Sequence, residues 1–268
     1  MKIELDPKKS VQENATVYFD QAKKLRKKAE GARAAIARFA GQLRTLEKKA
    51  HKKEQEERAA RKIKRTTPLQ WFEKFRWFYS SEGFLCIGGR DATTNEIIIK
   101  KHTDPHDLIF HTEAPGSPFF VVKSEGKEIG EVTKQEAAIA AVTYSKAWKL
   151  GIVSTDVYSV DPSQVSKQAQ SGEYLGKGAF MIRGKRTYYS VSLDLAIGKH
   201  ENGLIMGGPR NAVRTHCEKY VLVQQGKGKP SNCAKKIARY LEADVDDVMR
   251  ALPAGGGDVK TPRGETIK

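Results

Sequence analysis

The sequence predicts an α+β protein: a long coiled-coil helix, then a central mixed α/β domain, then a small α+β unit. Three observations carry this expectation. Apolar or small residues recur in alternating steps of four and three from Val11 to Ala50, which is the heptad spacing of a coiled-coil helix. From Phe84 onward, short runs rich in β-branched and aromatic residues alternate with turn residues and a few helical stretches. Charge is also unevenly spread. Residues 1–66 hold 20 Lys/Arg against 9 Asp/Glu, residues 67–198 hold 15 of each, and residues 199–268 hold 13 against 8. The expected segments are therefore a basic helical arm over 1–66, a central domain over 67–198, and a C-terminal unit over 199–268 with a frayed end.

The arm begins at Ser10, a plausible N-cap, with Glu13 at the capping-box spacing. Its seam runs through Val11, Ala15, Tyr18, Ala22 and Leu25 to Ile36, Phe39, Leu43, Leu46 and Ala50. A solvated continuation to about Lys64 gives a rod of roughly 80 Å. Such a seam needs a second helix to cover it. No matching heptads occur elsewhere in the chain, so the expected partner is another copy, another protein, or part of a longer ancestral chain. Thr66-Thr67-Pro68 is expected to end the arm.

In the central domain, the aromatic run Trp71–Tyr79 is read as core packing, with exposed rings for stacking bases as the sharper alternative. Strands are predicted at Phe84–Gly88, Glu96–Lys101, Leu108–His111, Phe119–Lys123, Val157–Val160, Ala179–Arg183 and Tyr188–Val191. One helix is predicted from Thr133 to Leu150. Thr133 is its N-cap, Glu136 completes a capping box, and Ala137, Ala140, Ala141, Tyr144 and Trp148 form its buried stripe. The C-terminal unit reads as strand Leu204–Met206, helix Asn211–Cys217, strand Tyr220–Gln224, and helices Ser231–Glu242 and Val245–Leu252.

Composition excludes several classes. No apolar run approaches the twenty or so residues that a membrane helix needs, and the first residues do not resemble a signal peptide. Cys86, Cys217 and Cys233 are few and far apart, so they read as reduced cytosolic thiols, and a cytoplasmic protein is expected. No Gly-x-x-x-x-Gly-Lys-Ser/Thr loop and no Gly-x-Ser-x-Gly elbow occurs. No cofactor and no catalytic residue is expected. The net charge of +16 attracts polyanions, of which RNA is the commonest in the cytosol.

Three constellations could carry chemistry. Arg90, Asp91 and Asn95 follow Gly88-Gly89 and put polar groups at one sheet edge, where Arg90 could meet a phosphate or brace the turn. His102, His106 and His111 crowd around Asp107 and Glu113. A metal held by Asp107, His111 and Glu113 is one reading, and a hydrogen-bond network around Asp107 is the blander and preferred one. Gln164 opens a polar loop running to Arg186, and from Lys167 onward this stretch holds five Lys/Arg against one Glu, the one local basic patch in a neutral domain.

Residues 71–75 (Trp-Phe-Glu-Lys-Phe), Gly89-Arg90-Asp91 through Asn95-Glu96, 106–111 (His-Asp-Leu-Ile-Phe-His), 164–167 (Gln-Val-Ser-Lys), Gly172-Glu173-Tyr174 and 180–185 (Phe-Met-Ile-Arg-Gly-Lys) together resemble the NFACT-R domain. This is the RNA-binding module of the NEMF / fibronectin-binding-like ribosome quality control family. The resemblance covers roughly residues 68–195. The arm is similar to the family's second coiled-coil strand, and the tail resembles archaeal members. The resemblance implies an RNA-binding factor that docks on the large ribosomal subunit, on tRNA carrying a stalled nascent chain, or on both. The bond-forming chemistry is left to the ribosome, so the chain is expected not to be an enzyme. Carried onto this sequence, it makes Arg90, Asp91, Asn95, His106, His111, Gln164, Lys167, Tyr174, Arg183, Lys185 and Arg186 the candidate RNA contacts. Full members also have a glycosylase-related domain, a helix–hairpin–helix module and a first coiled-coil strand, which these 268 residues do not contain. A separate protein bearing that half is one expected partner. The alternative function is a tRNA-binding accessory of an RNA-modification enzyme.

Overall fold

The computed structural model describes residues 3–62, 69–113, 116–168 and 175–267, with side chains 48–62 left aside. The chain divides into two compact units, residues 1–62 and residues 63–268.

The first unit is one helix, α1 (Val11–Lys62). Its start is over-determined. Glu13 accepts from the Ser10 amide at 2.7 Å and the Glu13 amide donates back to Ser10 Oγ at 3.3 Å, which is the predicted capping box. Asn14, the buried polar residue of this unit, adds a second lock. Its amide nitrogen donates to the carbonyls of Asp6, Lys9 and Ser10, and its Oδ1 accepts from the Asp6 amide. Within the described side chains the seam is uncovered: Val11, Leu25, Ile36, Phe39, Leu43 and Leu46 are all exposed. The expected helix end at residues 66–68 lies outside the described residues.

The second unit is built on two antiparallel sheets. The larger has six strands in the order β1-β2-β4-β3-β5-β8. These are β1 (Arg76–Tyr79), β2 (Leu85–Gly88), β3 (Leu108–Thr112), β4 (Phe120–Val122), β5 (Ser154–Val160) and β8 (Thr187–Ser192). Between β5 and β8 a small hairpin pairs β6 (Val165–Ser166) with β7 (Met181–Ile182). Helix α3 (Glu131–Thr143) packs on the large sheet against β3, β4, β5 and β8. The aromatic run supplies core, as read: Phe72, Phe75, Trp77 and Phe78 are buried. Trp71 departs from this at 45% exposure, stacked on His102 with ring centroids 4.7 Å apart.

Two local predictions need correction. Residues 96–101 are not a strand. They belong to helix α2 (Ala92–Lys101). Asp91 caps this helix by accepting from the Thr94 amide at 2.8 Å, and that capping outweighs the β preference of Ile97-Ile98-Ile99. The predicted helix 133–150 is two helices, because Tyr144 ends α3 and Ser145 caps α4 (Lys146–Leu150) through the Ala147 amide. The N-cap is Gly130 rather than Thr133. Thr133 is buried and donates its amide to Glu82 at 2.9 Å, while Glu136 accepts from the Ser81 amide at 2.8 Å. The pair braces the β1–β2 turn instead of forming a capping box. The predicted stripe Ala137, Ala140, Ala141, Tyr144 and Trp148 is buried throughout.

The smaller sheet has the order β10-β9-β11-β12, comprising β9 (Leu195–Lys199), β10 (Ile205–Gly208), β11 (Lys219–Gln225) and β12 (Gly257–Lys260). Helices α5 (Arg210–His216), α6 (Pro230–Leu241) and α7 (Val245–Ala251) pack around it. Strand β9 runs across the expected boundary at 198/199. The last strand occupies residues expected to be frayed. The two sheets meet where β10 approaches β1. Gly208 makes that approach possible, since a Cβ there would lie 2.8 Å from the Phe78 ring.

Candidate nucleic-acid interface

Three elements converge on one cleft of about 390 Å³. The N-terminus of α2 brings Arg90, Asp91 and Asn95, β3 brings His111, and the segment before β7 brings Lys177 and Phe180. Gly178 lets that segment sit against the helix. Its φ is +75°, and a Cβ would lie 2.6 Å from Ala92 Cα. Asn95 is buried and accepts from the Phe119 amide at 3.2 Å, which joins α2 to the entry of β4.

The cleft mixes rings with polar groups. His111 lies 4.2 Å from the Phe119 ring centroid and its Nδ1 is 3.3 Å from the Tyr158 hydroxyl. Phe180 meets Phe119 edge-on at 5.5 Å. Burial holds His111 below its ordinary value, offset in part by hydrogen bonds that the ring donates to the Thr112 and Ser117 backbone, so the neutral ring is favoured. Burial also raises Tyr158 to about 12, so its hydroxyl keeps its proton.

The basic loop borders this cleft. Lys167 donates to the carbonyls of Gly176 and Ala179, both at 3.1 Å, and lies 5.0 Å over the Phe180 ring. Gln164 is a brace: its Nε2 donates to the carbonyls of Arg183 and Lys185 at 2.8 and 2.9 Å. That fixes the turn which presents the exposed side chains of Arg183 and Lys185. Arg186 is paired with Glu113 at 2.6 Å and covers the Tyr158 ring at 4.6 Å.

Of the eleven candidates, Arg90, Asp91, Asn95 and His111 line the cleft, and Gln164, Lys167, Arg183, Lys185 and Arg186 belong to the loop and turn beside it. His106 lines a separate surface groove with Lys127, Lys134 and Asp161, so the structure does not bring it to the others. Tyr174 lies outside the described residues. Sequence reasoning missed Phe119, Tyr158, Lys177 and Phe180 as lining residues. Phe180 was visible as an aromatic inside the basic stretch, whereas Tyr158 required knowledge of strand register.

The Asp107, His111 and Glu113 trio does not assemble. Asp107 is buried against Lys123 and accepts from the Ser124 amide at 2.9 Å, Glu113 goes to Arg186, and His111 to Tyr158. Among the described residues no group of three or more His, Cys, Asp or Glu side chains could hold a metal ion. None of the described helices is long and apolar enough to cross a membrane.

Residues 74–184 match the family described as "NFACT protein RNA binding domain", a span that holds the cleft and its basic border as far as Arg183. The chain is an NFACT-R domain protein of the NEMF family. It is 44% identical over 197 residues to the archaeal Rqc2 homolog aRqcH of Methanocaldococcus jannaschii, a match covering 71% of this chain and 29% of that protein. It is 39% identical over 184 residues to the ribosome quality control complex subunit NEMF of Homo sapiens, covering 67% and 16%. The NEMF homolog of Drosophila melanogaster is 38% identical over 187 residues, covering 69% and 18%. The chain thus spans less than a third of the length of these relatives.

Proposed function

We propose that this chain is an RNA-binding factor of ribosome-associated quality control in the cytoplasm. It docks on large-subunit RNA, on tRNA, or on both, and supplies no bond-forming chemistry of its own. The observation that carries the reading is the cleft inside the matched domain. Its rings can pack against an unstacked base, while Asn95, Ser117 and Arg90 offer polar partners and the turn at Arg183 and Lys185 meets the backbone. The basic arm adds phosphate contacts, and its exposed seam takes a second helix from a partner or another copy.

The test is binding of the full chain to tRNA and to large-subunit RNA across a salt series, together with gradient sedimentation from a native lysate. Affinity that falls steeply with salt, and migration with large subunits, support the reading. Migration near the top of the gradient with tRNA and a modifying enzyme, without ribosomal proteins, would replace it with the accessory role.

A further inference from the structure

Two large aromatic side chains described in the second unit are exposed, Trp71 at 45% and Tyr188 at 55%. The Tyr188 hydroxyl donates to Glu113 at 2.9 Å, beside the basic turn already described. Trp71 stands out in its own run. Its neighbours Phe72, Phe75, Trp77 and Phe78 are all buried, whereas Trp71 leaves nearly half of a large apolar side chain in water and forgoes the burial energy that its ring offers.

The indole is nevertheless held firmly. It lies on the His102 ring, 4.7 Å between centroids and with 16° between the planes. Phe75 stands edge-on to both members, 6.5 Å from Trp71 and 5.3 Å from His102, so it flanks the stack. His102 is itself anchored at the end of α2. Its amide donates to the Ile98 carbonyl at 2.9 Å, and its carbonyl accepts from Lys123 at 3.1 Å. One face of the indole is thus taken, and the exposed share is the side away from His102. A ring fixed in this way loses little freedom when a flat ligand is laid on it.

The surroundings are cationic. Lys74 Nζ lies 4.9 Å over the Phe75 ring, and Lys101 directly precedes His102. Both lysines are exposed, and neither forms an ion pair among the described residues. The nearby acids are engaged: Asp104 with Lys123 at 2.6 Å, Glu96 with Lys100 at 2.7 Å, and Glu73 with the Gln70 amide at 2.6 Å. Burial, and then the charges of Lys74, Lys123 and Lys101, hold His102 below its ordinary value, so its neutral ring is favoured. A flat ring face beside two unpaired cations fits a nucleobase with its flanking phosphates. An apolar protein surface would cover the indole and leave those charges unmet. The position adds a spacing. Helix α2 has ten residues and is about 15 Å long. Its start lines the cleft and its end carries His102, so two ring surfaces stand at opposite ends of one rigid helix, within reach of a single strand of a few nucleotides.

We propose that Trp71 is a second base-stacking platform, on which an unpaired RNA base lies against the open face of the indole while Lys74 and Lys101 meet the adjoining phosphates. This rests on the RNA reading and narrows it: the bound RNA is single-stranded where it crosses this end of α2.

The test is titration of the full chain with an unstructured single-stranded RNA of about ten nucleotides and with a duplex of the same length. Binding is read both by tryptophan emission and by the anisotropy of a label on the RNA. The chain has three tryptophans, and Trp77 and Trp148 are only 6% and 3% exposed, so quenching by a stacked base reports on Trp71. The expected result is quenching by the single strand and none by the duplex, whose bases are already paired and stacked. Trp71→Ala should abolish the quenching and weaken single-strand binding at least about fivefold. Its salt slope should stay parental, since a base contact and not a phosphate contact is lost. Trp71→Phe, which keeps a ring, should retain most of the affinity. Lys74→Gln combined with Lys101→Gln should make the salt slope shallower, and an unchanged slope would overturn the phosphate part of the proposal. Single-strand binding without quenching, or full affinity in a folded Trp71→Ala, would overturn the platform and leave the RNA reading standing. Equal quenching by the duplex would overturn it too. Anisotropy that shows no binding of either RNA would remove the RNA reading and the platform with it.

Discussion

The side-chain oxygen of Asn95 accepts a hydrogen bond from the Phe119 amide at 3.2 Å, across 24 positions of sequence. This bond ties the first turn of α2 to the entry of β4 and so closes one wall of the cleft. Asn95→Ala leaves the buried Phe119 amide without its partner, at a cost of about 1–3 kcal/mol. Urea denaturation should show a lower midpoint at unchanged slope. A midpoint equal to that of the parent chain would mean that the bond contributes nothing.

His111 ties stability to pH. Its folded pKa lies below the ordinary histidine value of about 6.5, chiefly through burial, so the unfolded state binds the proton more readily. Its contribution is therefore fully present above about pH 6.5 and is lost as the pH falls through the folded value. His111→Gln should flatten the acid side of the stability curve between about pH 7 and 5. Equal slopes for the two proteins in that window would rule this out. His102 shifts in the same direction, again mainly through burial, so part of the slope remains in the variant.

Arg183 and Lys185 are exposed at the turn before β8. Replacing each by alanine should weaken RNA binding roughly equally across sequences, and should make the salt dependence shallower by about one per lost phosphate contact. The measurement is tRNA affinity at several salt concentrations, with thermal unfolding as the control for folding. An unchanged salt slope would take the turn out of the interface.

Gln164 should matter without touching RNA. Its Nε2 bridges the carbonyls of Arg183 and Lys185, so Gln164→Glu sets a carboxylate against two acceptors. The turn loses both bonds, and affinity should fall while the salt slope stays near that of the parent. A parental affinity would show that the turn needs no brace.

Asn14 holds the start of the arm through four hydrogen bonds. Asn14→Ala should destabilise the first turn by about 1–2 kcal/mol. The expected readout is faster amide exchange over residues 11–15, with no change in residues 76–122. Uniform exchange rates in variant and parent would argue against the lock.

The sequence by itself determined the features that rest on local periodicity and capping. Ser10 and Glu13 are three apart and can satisfy each other wherever the helix goes. The heptads of the arm repeat without reference to any other segment. The stripe from Ala137 to Trp148 follows from the helical period alone, even though Ser145 breaks the helix in two. The charge imbalance that points to a polyanion is likewise a property of composition.

Tertiary structure alone decided the rest, because those features depend on what lies across space. Ile97-Ile98-Ile99 has the composition of a strand, and only the Asp91 cap together with burial of Ile98 makes it helix. Strand β9 had no strand predicted for it, and its membership in the smaller sheet rests on pairing with the neighbouring β10 and with the more distant β11. His106 and His111 are five residues apart yet serve different surfaces. Nothing local in the sequence marks Arg76 as a buried cation. Its guanidinium is held by the Leu252 carbonyl at the end of α7, 176 positions away, and no local pattern in a sequence encodes a contact of that range.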